Sequence, residues 1–338
     1  MTFTARIPRP VLLAGRIAII VAIAGFVGWN VVTNWAQVRE TWQSLAWQSV
    51  ALSLVAAIAA MGANVLAWRA ALADVECDVD VPTAAQICLV GGLAKYLPGS
   101  VWSYVLQMEL GRRAGLPRPR AFLASLIATG LGLVTALLVG LSGLPTLLRE
   151  AASGSADQAG AVRTTLWVML ILLPVALLCA VPAVLTRLVQ LFLRLVRRPG
   201  LENPLTWVGV LRVMGFSALG WALFGVHLWL LANAQAAPGV AGLLVCVGAF
   251  AIAMSVGMFV VISPSGLGVR ESVLVAAMVP YLAGDAHPVG TALGIALASR
   301  LILTVADLIA AGLAGVTAAR RLRGGGAPVG VSEETPVS

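Results

Sequence analysis

The chain has 338 residues, of which 60% are hydrophobic and only 11% are charged, and its mean hydropathy is +0.96. Soluble domains carry about 25% charged residues, so the composition predicts an integral membrane protein and excludes a separate soluble domain of any size. The net charge of +8 comes from arginines that flank apolar runs, which indicates orientation in a membrane and argues against nucleic-acid binding.

Apolar runs long enough to cross a bilayer, which takes about 20 helical residues, recur along the chain. The candidate spans are 11–33, 48–72, 119–147, 164–186, 206–232, 239–262, 266–283 and 288–319. The first run continues past a sequence that resembles a signal-peptidase site, so we interpret it as an uncleaved span. The segment 83–109 is also apolar, but Pro98-Gly99 divides it into two pieces that are each too short to cross alone.

The basic residues decide how segment 83–109 is placed. Arg6 and Arg9 put the N-terminus in the cytoplasm, so the first span leaves the cytoplasm and the second returns to it. A dense basic cluster follows segment 83–109: Arg112, Arg113, Arg118 and Arg120. If this segment crossed the membrane, the cluster would lie outside, against the tendency of basic loops to stay in the cytoplasm. We therefore predict a re-entrant hairpin with Pro98-Gly99 at its tip.

The second half of the chain repeats this order with the opposite orientation. After span 164–186, segment 187–198 has apolar residues at helical spacing and arginines on the other face. This pattern predicts an amphipathic helix on the cytoplasmic surface, or a prolongation of the span. Segments 239–262 and 266–283 then form a second hairpin, with Pro264-Ser265-Gly266 at its tip.

Together the segments predict an all-α polytopic membrane protein with about six full spans and two broken hairpins, about eight hydrophobic segments in all. We expect one domain, 1–323, made of inverted halves at about 1–150 and 160–323, and a disordered cytoplasmic tail at 324–338. Inverted repeats of this kind place a substrate site near the midplane, where the broken helices meet.

Two motifs carry a family resemblance: Lys-Tyr-Leu-Pro-Gly-Ser-Val-Trp at 95–102 and Pro-Ser-Gly-Leu-Gly-Val-Arg-Glu at 264–271. With the basic loop after the first motif, they resemble the lysylphosphatidylglycerol synthase transmembrane-region family over roughly residues 10–320. The resemblance implies the fold of the flippase half of the bacterial multiple peptide resistance factor. It also implies the movement or handling of a lipid or a lipid-linked head group. The soluble aminoacyl-transferase domain that makes lysylphosphatidylglycerol is not recognisable in the sequence, so we do not expect synthesis of that lipid.

The candidate lipid-binding residues lie in and beside the two breaks and in the last span. They are Lys95, Tyr96, Pro98, Gly99, Ser100, Trp102, Ser263, Pro264, Ser265, Gly266, Gly268, Arg270, Glu271, Arg300 and Asp307. Ionisable residues within spans are costly and mark functional sites. We therefore expect Arg270, Glu271, Arg300 and Asp307 to form one buried network.

Several of these residues also have a structural interpretation. Lys95, the only lysine, is either a phosphate contact beside the free amides of a broken helix or a side chain that snorkels to the cytoplasmic surface. The aromatic residues beside it are either lipid contacts or anchors at the membrane interface. Arg300 and Asp307 lie two turns apart on one helical face, so they are either site residues or structural partners for Arg270 and Glu271.

The sequence shows no nucleophile beside a base, no paired histidines or cysteines and no phosphate-binding loop, so we expect no enzyme, no metal and no cofactor. We expect His227 to be a packed residue.

The resemblance favours binding and translocation of an anionic phospholipid or a polyprenyl-phosphate-linked lipid across the cytoplasmic (inner) membrane of a bacterium, with both termini cytoplasmic. One alternative is an accessory subunit that presents a lipid-linked substrate to a partner glycosyltransferase or synthase without transport. A membrane enzyme that acts on a lipid head group is the less favoured alternative.

Overall fold

Helices and helical turns make up all the regular structure in the part of the chain that the structure describes. The structure, a computed structural model, describes residues 32–33, 35–96, 101–143, 171–195, 197, 199–236, 239–259, 268–282 and 286–323. Most of the predicted span 11–33, both hairpin tips and the predicted tail 324–338 lie outside these residues. The described residues confirm an all-α polytopic membrane protein.

Five of the described helices are long and apolar enough to cross a membrane. In chain order the helices are α1 (Trp35–Ser44), α2 (Trp47–Asp74), α3 (Val81–Ala85), α4 (Trp102–Arg113), α5 (Arg118–Gly140), α6 (Ile171–Ala180), α7 (Pro182–Leu195), α8 (Trp207–Ala236), α9 (Gly239–Phe259), α10 (Val269–Met278) and α11 (Pro288–Arg323). The five are α2, α5, α8, α9 and α11, and each coincides with a predicted span. They are apolar all round because one side of each packs in the protein while the other suits lipid.

The predicted span 164–186 is wrong at its end. Helix α6 ends at Ala180, and α7 begins at Pro182 after a bend of 79°. Proline has no N–H for the helical ladder and disfavours helical geometry in the residue before it, so the helix breaks at Val181. Helix α7 carries the amphipathic pattern predicted for 187–198, and it starts earlier than predicted. On its apolar face, Phe192 packs against Phe122 of α5, with ring centroids 5.6 Å apart.

Both broken segments form pairs of limbs. In the first hairpin, the first limb runs through α3, a π-helical turn (Gln86–Val90) and a 3-10 turn (Leu93–Tyr96), and α4 is the returning limb. The two limbs pack on each other, with Gly91 against Gln107. In the second hairpin, α9 is the first limb, and α10 with a following 3-10 turn (Val279–Leu282) is the second. Helix α10 has only 10 residues, about half of what a full crossing needs.

The first hairpin starts and ends at the same end of the molecule. Arg120, near the start of α5, donates hydrogen bonds to the carbonyl of Val75 at 3.1 Å and to Glu76 at 3.2 Å, directly after α2. Glu76 also accepts from the backbone and side chain of Asn203, just before α8. The segment between α2 and α5 therefore returns to where it began. We call this the basic end, since it carries Arg112, Arg113, Arg118 and Arg120.

Two acidic residues tie the halves together at the basic end. Burial alone would raise the pKa of Glu76, but hydrogen bonds from Asn203 and the charge of Arg120 lower it below its ordinary value. The Glu76 carboxylate therefore stays ionised at neutral pH. Asp74 accepts from the backbone N–H of Thr206 at 3.1 Å and from its hydroxyl at 2.7 Å, which fixes the start of α8 beside the end of α2. Nearby, Glu109 forms ion pairs with Arg112, Arg113 and Arg118.

The second hairpin starts at the opposite end. Ser142, just after α5, donates to the carbonyl of Leu244 in α9 at 2.9 Å. Trp42 of α1 donates to the carbonyl of Gly294 near the start of α11 at 3.0 Å, and α1 leads directly into the start of α2. Helices α2, α5 and α11 each run between the two ends, so the two hairpins open at opposite ends of the molecule.

The packing of the two halves corresponds element by element. Helices α2 and α8 lie against each other at the centre. Helix α5 packs on α8 as α11 packs on α2, while α9 lies against α5 as the π-helical turn lies against α11. The apolar core forms two clusters, and each contains residues of both halves: one includes Leu72 and Val210, and the other includes Met61 and Phe250. The spans and hairpin limbs of the two halves therefore pack in corresponding positions.

Candidate functional site

Helix α11 carries three polar residues on one face, near the middle of its apolar stretch. Arg300, Thr304 and Asp307 recur at helical spacing, and a rise of about 1.5 Å per residue places the two charges roughly 10 Å apart along the axis. The neighbouring face of α11 is exposed and apolar, with Leu301, Val305 and Leu308. The charged face therefore borders a surface that suits lipid tails.

Asp307 binds the end of the first hairpin's first limb. Its Oδ2 atom lies 2.6 Å from Lys95 Nζ and accepts a hydrogen bond from the Tyr96 hydroxyl, also at 2.6 Å. Lys95 and Tyr96 lie in the 3-10 turn that precedes Pro98-Gly99. The Lys95 side chain is 38% exposed, whereas that of Asp307 is 13% exposed. The ion pair is thus open to its surroundings on the lysine side only.

Arg300 binds the start of the second hairpin's second limb. Its guanidinium forms an ion pair with Glu271, whose side chain is only 5% exposed. The other carboxylate oxygen of Glu271 accepts from the backbone N–H of Gly268 at 2.7 Å and caps α10. Gly268 has φ = +87°, a left-handed conformation that glycine adopts without the cost of a side chain. The local sequence Gly-Val-Arg-Glu therefore both starts α10 and aims a carboxylate at α11.

Arg270 is buried beside this ion pair. Its guanidinium lies over the ring of Phe250 at 4.9 Å and donates to Ser299 at 3.4 Å. Ser299 is also 2.8 Å from His227 Nε2, and Ser53 is 2.6 Å from Nδ1 of the same ring. Among the described residues, none accepts a hydrogen bond from Arg270 Nε. The arginine is therefore held by its contact with the Phe250 ring and by its hydrogen bond to Ser299.

The first half contains a neutral counterpart of this contact. There, Trp68 of α2 donates to Ser125 of α5 at 2.9 Å, and Ser125 donates to Gln107 of α4 at 2.7 Å. In each half, a serine on the span after the hairpin contacts both the span before the hairpin and the hairpin's returning limb. This serine is Ser125 on α5 in the first half and Ser299 on α11 in the second. Gln107 takes in the first half the place that Arg270 takes in the second. This serine contact therefore includes a charge only in the second half.

The ion pairs of α11 belong to one electrostatic cluster. The ion pairs Lys95–Asp307 and Arg300–Glu271 bring both hairpins to this helix, and Arg270 lies near enough to feel the charges of Glu271, Arg300 and Asp307. We define the charge cluster as Lys95, Arg270, Glu271, Arg300 and Asp307. It contains three cations and two carboxylates, which leaves a net charge of +1 when every group is ionised. A surplus positive charge of this kind favours an anionic ligand.

The structure brings seven of the predicted site residues together, and their pairing differs from the prediction. They are Lys95, Tyr96, Gly268, Arg270, Glu271, Arg300 and Asp307. A single network of the last four charges was expected, but Asp307 pairs with the first hairpin and Arg300 with the second. Lys95 likewise pairs with the middle of α11, so it does not snorkel to the cytoplasmic surface. The two hairpins contact α11 at different heights. Each pairs with the charged residue of α11 that lies at its own height.

The remaining predicted residues have other placements. Trp102 is exposed at the start of α4, in the returning limb of the first hairpin. The others lie outside the described residues: Pro98, Gly99, Ser100, Ser263, Pro264, Ser265 and Gly266. Their part in the site stays a prediction.

Sequence reasoning missed the residues that hold Arg270 in place. His227 is fully buried, as expected of a packed residue, but it also contacts Ser299 beside the charge cluster. Phe250 lies in an apolar run and gives no sequence signal of a cation above its ring. Ser299 directly precedes Arg300, and that adjacency was the one feature that could have identified it.

The sequence model of the lysylphosphatidylglycerol synthase TM region matches residues 13–311 of the chain. No curated protein and no solved structure shows significant similarity to the chain. The matched range contains the whole charge cluster, the spanning helices α2, α5, α8 and α9, and α11 as far as residue 311. The chain belongs to the lysylphosphatidylglycerol synthase TM-region family.

Proposed function

We propose that this family member binds the phosphate of an anionic phospholipid, or of a polyprenyl-phosphate-linked lipid, at the charge cluster and translocates the lipid across the bacterial cytoplasmic membrane. One observation carries the proposal. A cluster of net charge +1 lies in the middle of α11, beside the exposed apolar face of Leu301 and Leu308. A phosphate can reach such a cluster while the acyl or prenyl chains stay against the apolar face.

The two hairpins supply the route. The first opens at the basic end and the second at the opposite end, and each contributes a charged residue to the cluster. A head group that enters along one hairpin therefore reaches the same helix as one that enters along the other. Irregular backbone at membrane depth is tolerated where it lines a cavity, and broken helices in inverted repeats form transport sites.

The proposal is for a transporter without an enzymatic step and without a nucleotide site. The accessory-subunit alternative uses the same lipid site but does not move the lipid across the membrane. Binding alone does not separate the two, and translocation does.

Removing the lysine charge is expected to weaken lipid binding. Lys95→Ala should weaken the affinity for a phosphate-bearing lipid by about tenfold, the factor for ~1.4 kcal/mol from one charge-assisted hydrogen bond, and so lower the amount of this lipid that co-purifies with the protein. Native mass spectrometry of the purified protein measures this. Arg113→Ala is the matched control, because it removes an exposed cation at the basic end and should leave the bound lipid unchanged. Equal lipid content in wild type and Lys95→Ala would refute the proposed phosphate contact.

Orientation is also part of the proposal: the basic end and both termini face the cytoplasm. In a variant without the four native cysteines, Val81→Cys and Ala114→Cys should both react with a membrane-impermeant thiol reagent from the cytoplasmic side. Both residues are exposed at the basic end. A cysteine in the predicted external loop 148–163, such as Ser155→Cys, should react only from outside. Labelling of Ala114→Cys from outside would contradict the re-entrant first hairpin.

A further inference from the structure

Asp307 makes contacts that resemble those of a bound anion. A single carboxylate oxygen takes both a lysine ammonium and a tyrosine hydroxyl, each at 2.6 Å, from neighbouring residues of the first hairpin. Both donors end the limb just before the Pro98-Gly99 break. A lipid phosphate that reached Lys95 and Tyr96 would accept from the same two donors, because charge-assisted hydrogen bonds are stronger than neutral ones.

The exposure of the pair indicates which partner a ligand can approach. Lys95 is 38% exposed and Tyr96 is exposed, whereas Asp307 is 13% exposed on α11. A ligand can therefore contact Lys95 and Tyr96 from their exposed side without a movement of α11. The other carboxylate of the charge cluster does not have this arrangement, since Glu271 is buried and is bound by both Arg300 and the Gly268 N–H.

We propose that Asp307 is a resident counter-anion that competes with lipid phosphate for Lys95 and Tyr96. This inference rests on the proposed function and names the regulation of the same site. In the structure, Asp307 joins the first hairpin to α11 and neutralises Lys95. When a lipid phosphate binds, it replaces the Asp307 carboxylate on the two donors. Competition weakens lipid binding and thereby allows release, because a transport site must not hold its ligand too tightly.

Neutralising Asp307 is therefore expected to tighten phosphate binding. Asp307→Asn keeps the size of the side chain and an oxygen that accepts from Tyr96, but it releases Lys95 from its ion pair. Dihexanoyl phosphatidylglycerol should bind the variant about fivefold more tightly than wild type, the factor for ~1 kcal/mol of a partly exposed ion pair. Dihexanoylglycerol, which has the same chains and no phosphate, should bind both proteins equally. Titration of the purified protein with each lipid provides the measurement.

The matched control frees cations elsewhere. Glu109→Gln removes the carboxylate that binds Arg112, Arg113 and Arg118 at the basic end. If affinity rises in Asp307→Asn and not in Glu109→Gln, local competition at Lys95 is supported. An equal rise in both variants would overturn the proposal in favour of a general electrostatic effect.

Two further outcomes separate this inference from the proposed function. If Lys95→Ala weakens binding of the phosphate lipid but Asp307→Asn leaves it unchanged or weaker, the lipid site stands and the competition is overturned. If neither variant changes binding in either direction, both ideas fail. The melting temperature of each variant without lipid is measured alongside, and Lys95→Ala combined with Asp307→Asn should bind no better than Lys95→Ala alone.

Discussion

Arg300→Ala is expected to abolish lipid translocation and to lower the free energy of unfolding by about 3–5 kcal/mol, the usual cost of leaving one partner of a buried ion pair. The Glu271 side chain is 5% exposed and would lose its only guanidinium partner among the described residues. The hydrogen bond from the Gly268 N–H does not neutralise the carboxylate, and Arg270 interacts with Glu271 without forming an ion pair. Thermal unfolding in detergent and translocation in vesicles measure the two effects.

Two companion variants separate structure from function at Arg300. Arg212→Ala removes an exposed arginine near the start of α8 and should change stability by no more than about 0.5 kcal/mol. The double variant Arg300→Met with Glu271→Gln removes both charges, so it should regain much of the lost stability and still fail to translocate lipid. Wild-type activity and stability in Arg300→Ala would show that the ion pair is merely tolerated.

Gly225→Ala is the second change with a large expected effect. Helices α8 and α9 touch at this glycine, and a methyl group there would overlap the side chain and the backbone Cα of Val247 and lie 2.7 Å from its Cβ. Because part of the obstacle is backbone, a rotamer change cannot relieve it and the helices must separate. We expect a loss of about 1–3 kcal/mol in the free energy of unfolding, as for other overpacked cores.

The same helix provides the control for Gly225. Nothing lies within 4 Å of a Cβ built at Gly215, and alanine favours the helix more than glycine does by about 0.5–1 kcal/mol. Gly215→Ala should therefore be neutral or slightly stabilising in the same thermal unfolding measurement. If both variants unfold at the same temperature, the close packing of α8 on α9 is contradicted.

The sequence predicted the broken segments well because their signals are local. Pro98-Gly99 interrupts an apolar run, and the arginines after it decide the side to which the chain returns. Contacts between Arg120, Val75 and Glu76 place the start and end of that hairpin together, as the charge pattern required. The break at Val181 escaped prediction because hydropathy is continuous across it, although Pro182 was visible in the sequence.

The charged residues of the site were also predictable as a group, because each is costly within an apolar span. Their pairing was not. Lys95 and Asp307 lie far apart in the sequence, and nothing local to either residue indicates that the first hairpin meets α11 at that height. The same is true of Phe250 beneath Arg270, since an aromatic residue in an apolar run predicts only burial.

Translocation of a labelled phosphatidylglycerol in vesicles that contain the purified protein is the most direct test of the proposed transport. A membrane-impermeant reductant that destroys the label reports how much of it reaches the outer leaflet. With wild-type protein the inner-leaflet lipid should become accessible, and with the double variant Arg300→Met and Glu271→Gln it should stay protected. If folded wild-type protein binds the lipid but leaves the inner leaflet protected, translocation is contradicted and the accessory-subunit alternative stands.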